Sequence, residues 1–261
     1  MRNTLAIAQK ELRSYFASPI GYIVIGFFAL LYGFFYSTYL SYFIRQSMQG
    51  AQFGGPDQMN VNEMMIRPVL QNITILLLFL MPMVTMRSYS EEKRSGTIEL
   101  LLTSPVTDWE IILGKFLGAL TLWAAALAVT LVHIGLLFYF GNPEWKPIVT
   151  GYLGLLMMGG CFLSLGLFIS SLTKNQIVAA MATFAVFLLL WIINWLSGAV
   201  GPTGQAILRH LSITEHFDDF AKGIIDTNHV IYYLSFIAFG LFLTMKSVDN
   251  AISRPSAGDR K

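Results

Sequence analysis

Six apolar runs alternate with polar stretches along the 261 residues. Each is close to the ~20 residues a helix needs to cross the hydrocarbon layer of a bilayer. They predict membrane spans over 19–43, 69–86, 112–140, 148–172, 177–200 and 230–245. No Asp, Glu, Lys or Arg lies deep in any of the six, where proton-coupled carriers place an ionisable group. Ahead of the first run, Leu5, Ala8, Leu12 and Tyr15 recur at helical spacing opposite Arg2, Gln9, Lys10 and Arg13. That pattern predicts an interfacial amphipathic helix within 1–18, broken at Ser18-Pro19. Lys10, Glu11 and Arg13 interrupt any apolar signal-peptide core.

Two polar interruptions are too long for simple turns. In the first, over 87–110, Ser88 with Glu91 and Thr107 with Glu110 fit the capping-box spacing at helix starts. Gly96 separates the charged run from a short helix expected over 97–102, which Ser104-Pro105 stops. Leu100 and Leu101 beside Glu91, Glu92 and Glu99 make an apolar knob ringed by carboxylates. Two readings stand on this pattern: docking in a groove of a soluble partner, or leucines resting on the membrane with solvated charges.

The second interruption spans 201–229. Ile213, Phe217, Phe220 and Ile224 fall at helical spacing opposite Glu215, Asp218, Asp219 and Lys222, predicting an amphipathic or re-entrant helix. A helix lying on the membrane surface has the same pattern. His210, His216 and His229 accompany Asp218, but without the tight ligand spacing of a metal motif, and no metal site is assigned. In the first span Tyr32, Tyr36, Tyr39 and Phe43 form one stripe, either an interfacial belt or the lining of a path. His133 and Asn194 are the polar exceptions within the spans. Gly160 with Ser164, and Gly166 with Ser170, predict close helix packing. Pro82 predicts a kink near the end of the second span.

Composition narrows the class further. At 55% hydrophobic and 12% charged residues, with mean hydropathy +0.60, the chain cannot fold in water without exposing apolar surface. A net charge of +2, spread along the chain, does not point to nucleic acid. Cys161 is the only cysteine, which excludes an internal disulfide and a cysteine metal cluster. Twelve of the basic residues fall on the side of both termini and only Arg45, Arg67, Lys146, Arg209 and Lys222 on the other. The positive-inside rule therefore predicts cytoplasmic termini and a cytoplasmic 87–110 loop. No phosphate-binding loop occurs, because the Gly114-Lys115 pair lacks both the upstream glycine and a following Ser or Thr.

The block SEEKRSGTIELLLTSPVTDWEIILGKFLGA, starting at Ser90, resembles the loop between the second and third helices in permeases of the ABC type-2 exporter family. The likeness is greatest to the gliding-motility-associated GldF-like subunits. It extends to IAQKELRSYFASPIGYIV, starting at Ile7, and to LSITEHFDDFAKGIIDTNHVIYYLS, starting at Leu211. The resemblance implies a single all-α transmembrane domain over 1–261, with six membrane helices and a connecting helix over 1–18. A coupling helix would lie in 87–110 between helices two and three, and an outer gate in 201–229. It implies no catalytic residues and no cofactor on this chain, with ATP and Mg held by a cytoplasmic ABC ATPase partner. Glu91, Glu92, Arg94, Gly96, Thr97, Glu99, Leu100 and Leu101 would couple to that ATPase. Phe217, Phe220 and Ile224 would form the gate, while Tyr32, Tyr36, Tyr39 and Asn194 are candidates for lining the path. A second copy or a related permease would complete the path, a GldG-like protein with a large outer domain among the options. The expected location is the bacterial inner membrane. An autonomous channel or secondary carrier is the alternative, and an intramembrane hydrolase lacks a nucleophile motif.

Overall fold

The computed structural model describes residues 2–53, 60–97, 106–197 and 201–252. The chain is helical throughout this part, with no strand among the described residues. The helices are α1 (Arg2–Ala17), α2 (Pro19–Phe53), α3 (Arg67–Thr85), α4 (Ser90–Ser95), α5 (Asp108–Phe140), α6 (Trp145–Leu172), α7 (Gln176–Ser197), α8 (Pro202–Leu211), α9 (Glu215–Ala221) and α10 (Thr227–Ile252). Six stretches are long and apolar enough to cross a membrane: Pro19–Gln49, Asn62–Ser95, Asp108–Phe140, Trp145–Leu172, Gln176–Ile193 and Thr227–Asp249. The protein is an all-α, multi-pass membrane protein.

The span positions agree with the apolar runs, but several ends differ: the third helix begins at Asp108 rather than 112, and the sixth runs Thr227–Ile252 rather than 230–245. The first helix continues from the expected 43 to Phe53. The second is preceded by a π-helical turn, Asn62–Ile66, in which the Arg67 amide bonds to the Asn62 carbonyl. Pro68 has no amide hydrogen to offer the carbonyl four residues before it, so the wider turn relieves that clash before α3 begins.

α6 is the most enclosed span, whereas α2, α7 and α10 expose most of their surface. Small residues make that possible. A side chain at Gly160 would lie 2.9 Å from Ile237, and one at Gly240 would lie 2.5 Å from the Ser164 hydroxyl, so α10 sits directly against α6. Gly166 admits Thr85 of α3. The expected Gly160/Ser164 and Gly166/Ser170 contacts are thus both helix-packing seams. Trp123 of α5 is buried against Gly159, where its indole donates to the Leu155 carbonyl at 3.0 Å.

Candidate functional site

One end of the bundle joins three helices, and the turn leading into α4, through one buried cation. Lys115, near the start of α5, is 2% exposed. Its ammonium donates to Glu11 of α1 at 2.9 Å, to Glu92 of α4 at 2.7 Å and to the Ser88 carbonyl at 2.9 Å. The Tyr89 ring lies 5.1 Å beneath it. A buried ammonium carries a desolvation cost of several kcal/mol, offset only when all of its protons are satisfied. Three acceptors satisfy them here. Glu92 Oε2, also buried, has no hydrogen-bond partner.

The turn leading into α4 is held from α6. The Ser170 hydroxyl accepts from the Tyr89 and Ser90 amides, each at 3.2 Å, and donates to the Met86 carbonyl at 3.2 Å. Lys93 donates to the Ser171 carbonyl and Ser90 to the Met86 carbonyl. These bonds replace the expected Ser88–Glu91 capping box. Tyr89, not Ser88, is the N-cap, without a side-chain cap, and Glu91 instead accepts two bonds from Arg87, at 2.8 and 3.2 Å. The Thr107–Glu110 box does form, with both reciprocal bonds present. Gly96 ends α4 at φ 74°, a left-handed conformation that favours glycine.

α1 docks along α5 through Gly114 and Gly118. A side chain at Gly114 would come within 2.6 Å of Ile7, and one at Gly118 within 2.8 Å of Glu11. The Tyr15 hydroxyl donates to the Val84 carbonyl of α3 at 3.2 Å. Between α1 and α4 lies a polar cavity of about 280 Å³, lined among others by Lys10, Glu11, Arg87, Glu91 and Thr97.

Of the residues expected to couple, Arg94, Gly96 and Thr97 are exposed. Glu91 is half-buried against Arg87, and Glu92 turns inward to Lys115. Glu99, Leu100, Leu101 and the Asn194 side chain lie outside the described residues.

At the opposite end of the bundle, α9 sits in a groove over α6. Phe217 and Phe220 are buried, and a side chain at Gly154 would lie 2.8 Å from Phe220. Thr150 donates to the Phe220 carbonyl at 2.7 Å. Ile213 is buried as expected but precedes the helix, held where Tyr233 donates to its carbonyl at 2.9 Å. Ile224 departs from the expected apolar face: it is 53% exposed, because the chain turns at Gly223 with φ 92°.

Asp218 accepts from Arg67 at 2.7 Å and Gln71 at 2.9 Å, and Lys222 lies 2.5 Å from its other oxygen. Burial pushes the Asp218 carboxyl up, but the bonds from Lys222 and Arg67 outweigh it and hold the group below its ordinary value. The Asp219 carboxyl is also lowered, first by its bond from His229 and then by Lys222.

The histidines form a chain that spacing did not reveal. His229 Nε2 meets Asp219 at 2.9 Å, the two Nδ1 atoms of His229 and His216 meet at 2.6 Å, and His216 Nε2 meets the His210 carbonyl at 3.0 Å. Both outer contacts end on acceptor oxygens, so each Nε2 carries a proton. Burial, with the adjacent rings of His229 and His210, holds the His216 imidazole below its ordinary value. No group of His, Cys, Asp and Glu suited to a metal occurs among the described residues.

The tyrosine stripe packs largely inside the bundle. Tyr32 and Tyr36 are buried, their ring centroids 5.2 and 5.1 Å from His133. Tyr39 is partly buried and accepts a bond from Asn72 at 2.9 Å.

A family model described as ABC-2 family transporter protein matches residues 5–244. Two curated proteins, each described as a probable multidrug ABC transporter permease YbhR, from Escherichia coli strain K12 and from Escherichia coli O157:H7, are each 33% identical to the chain over 146 residues. The matched stretch covers 54% of this chain and only 38% of each relative.

Proposed function

The chain belongs to the ABC-2 family of transporter proteins, and on that premise we propose that it is the membrane permease of an ATP-driven exporter. The observation that carries the coupling role is the Lys115 node, which ties the polar 87–110 loop to α1 and α5. A force on α4 therefore reaches two membrane-associated helices through short, buried bonds. Arg94, Gly96 and Thr97, exposed at the end of α4, together with Glu99, Leu100 and Leu101, offer the contact to a cytoplasmic ABC ATPase. Glu91 and Glu92 transmit that contact inward. ATP and Mg belong to that partner, and a second copy of the chain or a related permease completes the path.

Phe217 and Phe220, packed over α6, act as the outer gate, and Ile224 faces outward beside it. Residues 1–18 are the connecting helix, 87–110 the coupling loop and 201–229 the outer gate loop of one domain. The GldF-like likeness supports a bacterial inner-membrane protein with cytoplasmic termini, paired with itself or with a GldG-like permease. An autonomous channel needs no such loop, and family membership weighs against it.

The test is co-purification with an ABC ATPase from the same gene neighbourhood, comparing wild type with Arg94→Glu plus Leu101→Asp. The ATPase should accompany the wild type and be lost from the variant, while the permease stays monodisperse in detergent. Retention of the ATPase by the variant with unchanged ATP turnover would overturn the coupling assignment.

A further inference from the structure

A cavity of about 410 Å³ opens between the outer ends of α3 and α7 and the start of α9, lined by Gln71, Asn72, Thr74, Trp191, Glu215 and Phe217 among others. Its polar groups are unevenly spent. The Gln71 amide nitrogen donates to Asp218, and the Asn72 amide nitrogen to Tyr39 and to the Pro68 carbonyl. The Thr74 hydroxyl donates to the Gln71 carbonyl at 2.7 Å. Asn72 and Thr74 have thus committed their donors and Gln71 one of its two, while the amide oxygens of Gln71 and Asn72 keep unfilled acceptor capacity among the described residues.

The Glu215 carboxylate makes no hydrogen bond or ion pair among the described residues, although its charge acts on the neighbouring His216 ring; its backbone amide donates to Ser212 at 3.3 Å. Asp218, by contrast, is neutralised by Arg67 and Lys222. The remaining wall is apolar, from Ile75, Trp191 and Phe217. A ligand completing this site brings N–H donors and positive charge at one end and an apolar body at the other.

We propose that the cavity between Gln71, Asn72, Trp191 and Glu215 binds the protonated amine of an amphipathic amine, with the Glu215 carboxylate as its counter-ion. Such an amine is carried both by free amphiphiles and by ethanolamine lipid headgroups. Only the fate of the bound amine rests on the permease reading; binding itself needs neither ATPase nor nucleotide.

The experiment uses the full chain in phosphatidylcholine nanodiscs without ATPase. The probe is a dansyl-labelled long-chain primary amine, compared with its trimethylammonium and carboxylate counterparts. The primary amine should bind in a saturable manner, the trimethylammonium analogue more weakly for want of N–H donors, and the carboxylate not at all. Glu215→Gln should weaken the amine by about tenfold or more, the size of one charge-assisted contact, and Glu215→Asp should recover part of it. Gln71→Leu should weaken it independently, which keeps the test decisive should the Glu215 variant misfold. Adding phosphatidylethanolamine to the discs distinguishes the sources: competition with the probe marks a headgroup amine as a ligand, and its absence a free amphiphile. Equal binding of all three head groups, or binding indifferent to both Glu215→Gln and Gln71→Leu, would mean partition into lipid and overturn the site. The ATPase co-purification can succeed or fail regardless of this result.

Discussion

A lysine buried near the end of a membrane span costs free energy unless everything around it is arranged to receive it, and Lys115 shows that arrangement. Removing only the cation leaves Glu11 and Glu92 facing each other in a buried space. Lys115→Met should lower stability by about 3–5 kcal/mol, read as a fall in thermal unfolding midpoint in detergent. Combining it with Glu11→Gln and Glu92→Gln should recover most of the loss. If the single and triple variants unfold together, the node carries no net charge coupling. The node was not legible in the sequence: Lys115 sits near the start of an apolar run, and its partners lie 104 and 23 residues away, beyond any helical period. The histidine chain escaped for a similar reason, since His216 and His229 are brought together by a turn over 13 residues. A search for i, i+4 ligand pairs passes over that separation.

The same histidines give the outer segment a pH dependence. Burial holds His216 below its ordinary value of 6.5, so the unfolded segment binds more protons than the folded one as the pH falls past that value. Stability is therefore full above about 6.5 and declines with acidification. The physical event is protonation of His216, which puts a charge into a buried site packed against the His229 ring. Asp218 and Asp219, both lowered, act in the same direction at more acid pH. Hydrogen exchange over 213–229 should quicken between pH 7 and 5, and His216→Asn should flatten that response; a profile independent of pH would refute the assignment.

Among the elements, helix identity was largely readable and helix attachment was not. The six spans, the Thr107 cap and the Gly96 stop follow from local chemistry. The Ser88 box failed because Ser170, supplied by α6, satisfies the Tyr89 and Ser90 amides that a local cap would otherwise serve. Ser170→Ala should leave those two buried amides unpaired and cost about 1–3 kcal/mol, seen as faster amide exchange at Tyr89 and Ser90 with little change at α8. At the outer end, Gly154→Leu would drive a side chain into Phe217 and Phe220. It should release α9 from α6 and expose 213–223 to protease, with α1 and α4 unaffected.

For the whole molecule, the bonds at the inner end make α1, α4 and the start of α5 one body, with the end of α3 attached through Tyr15 and Val84. A cross-link within that body should be tolerated. Cysteines replacing Asn3 and Glu110, whose side chains meet at 3.3 Å between α1 and α5, bridged by a short cleavable thiol cross-linker, should leave coupled ATP turnover unchanged. Loss of turnover on cross-linking, restored by cleavage, would show that α1 slides on α5. The native background is favourable, since Cys161 is buried.

The Lys115–Glu11 bond also orders events during synthesis. α1 leaves the ribosome before its docking partner, which follows 104 residues later. Until the third span has been inserted, Glu11 has no ammonium to meet, Gly114 and Gly118 offer no surface, and α1 can do no more than rest on the membrane. α1 is thus made well before the surface that seats it, and a nascent chain halted after its second span should present α1 open to proteases that the finished protein excludes.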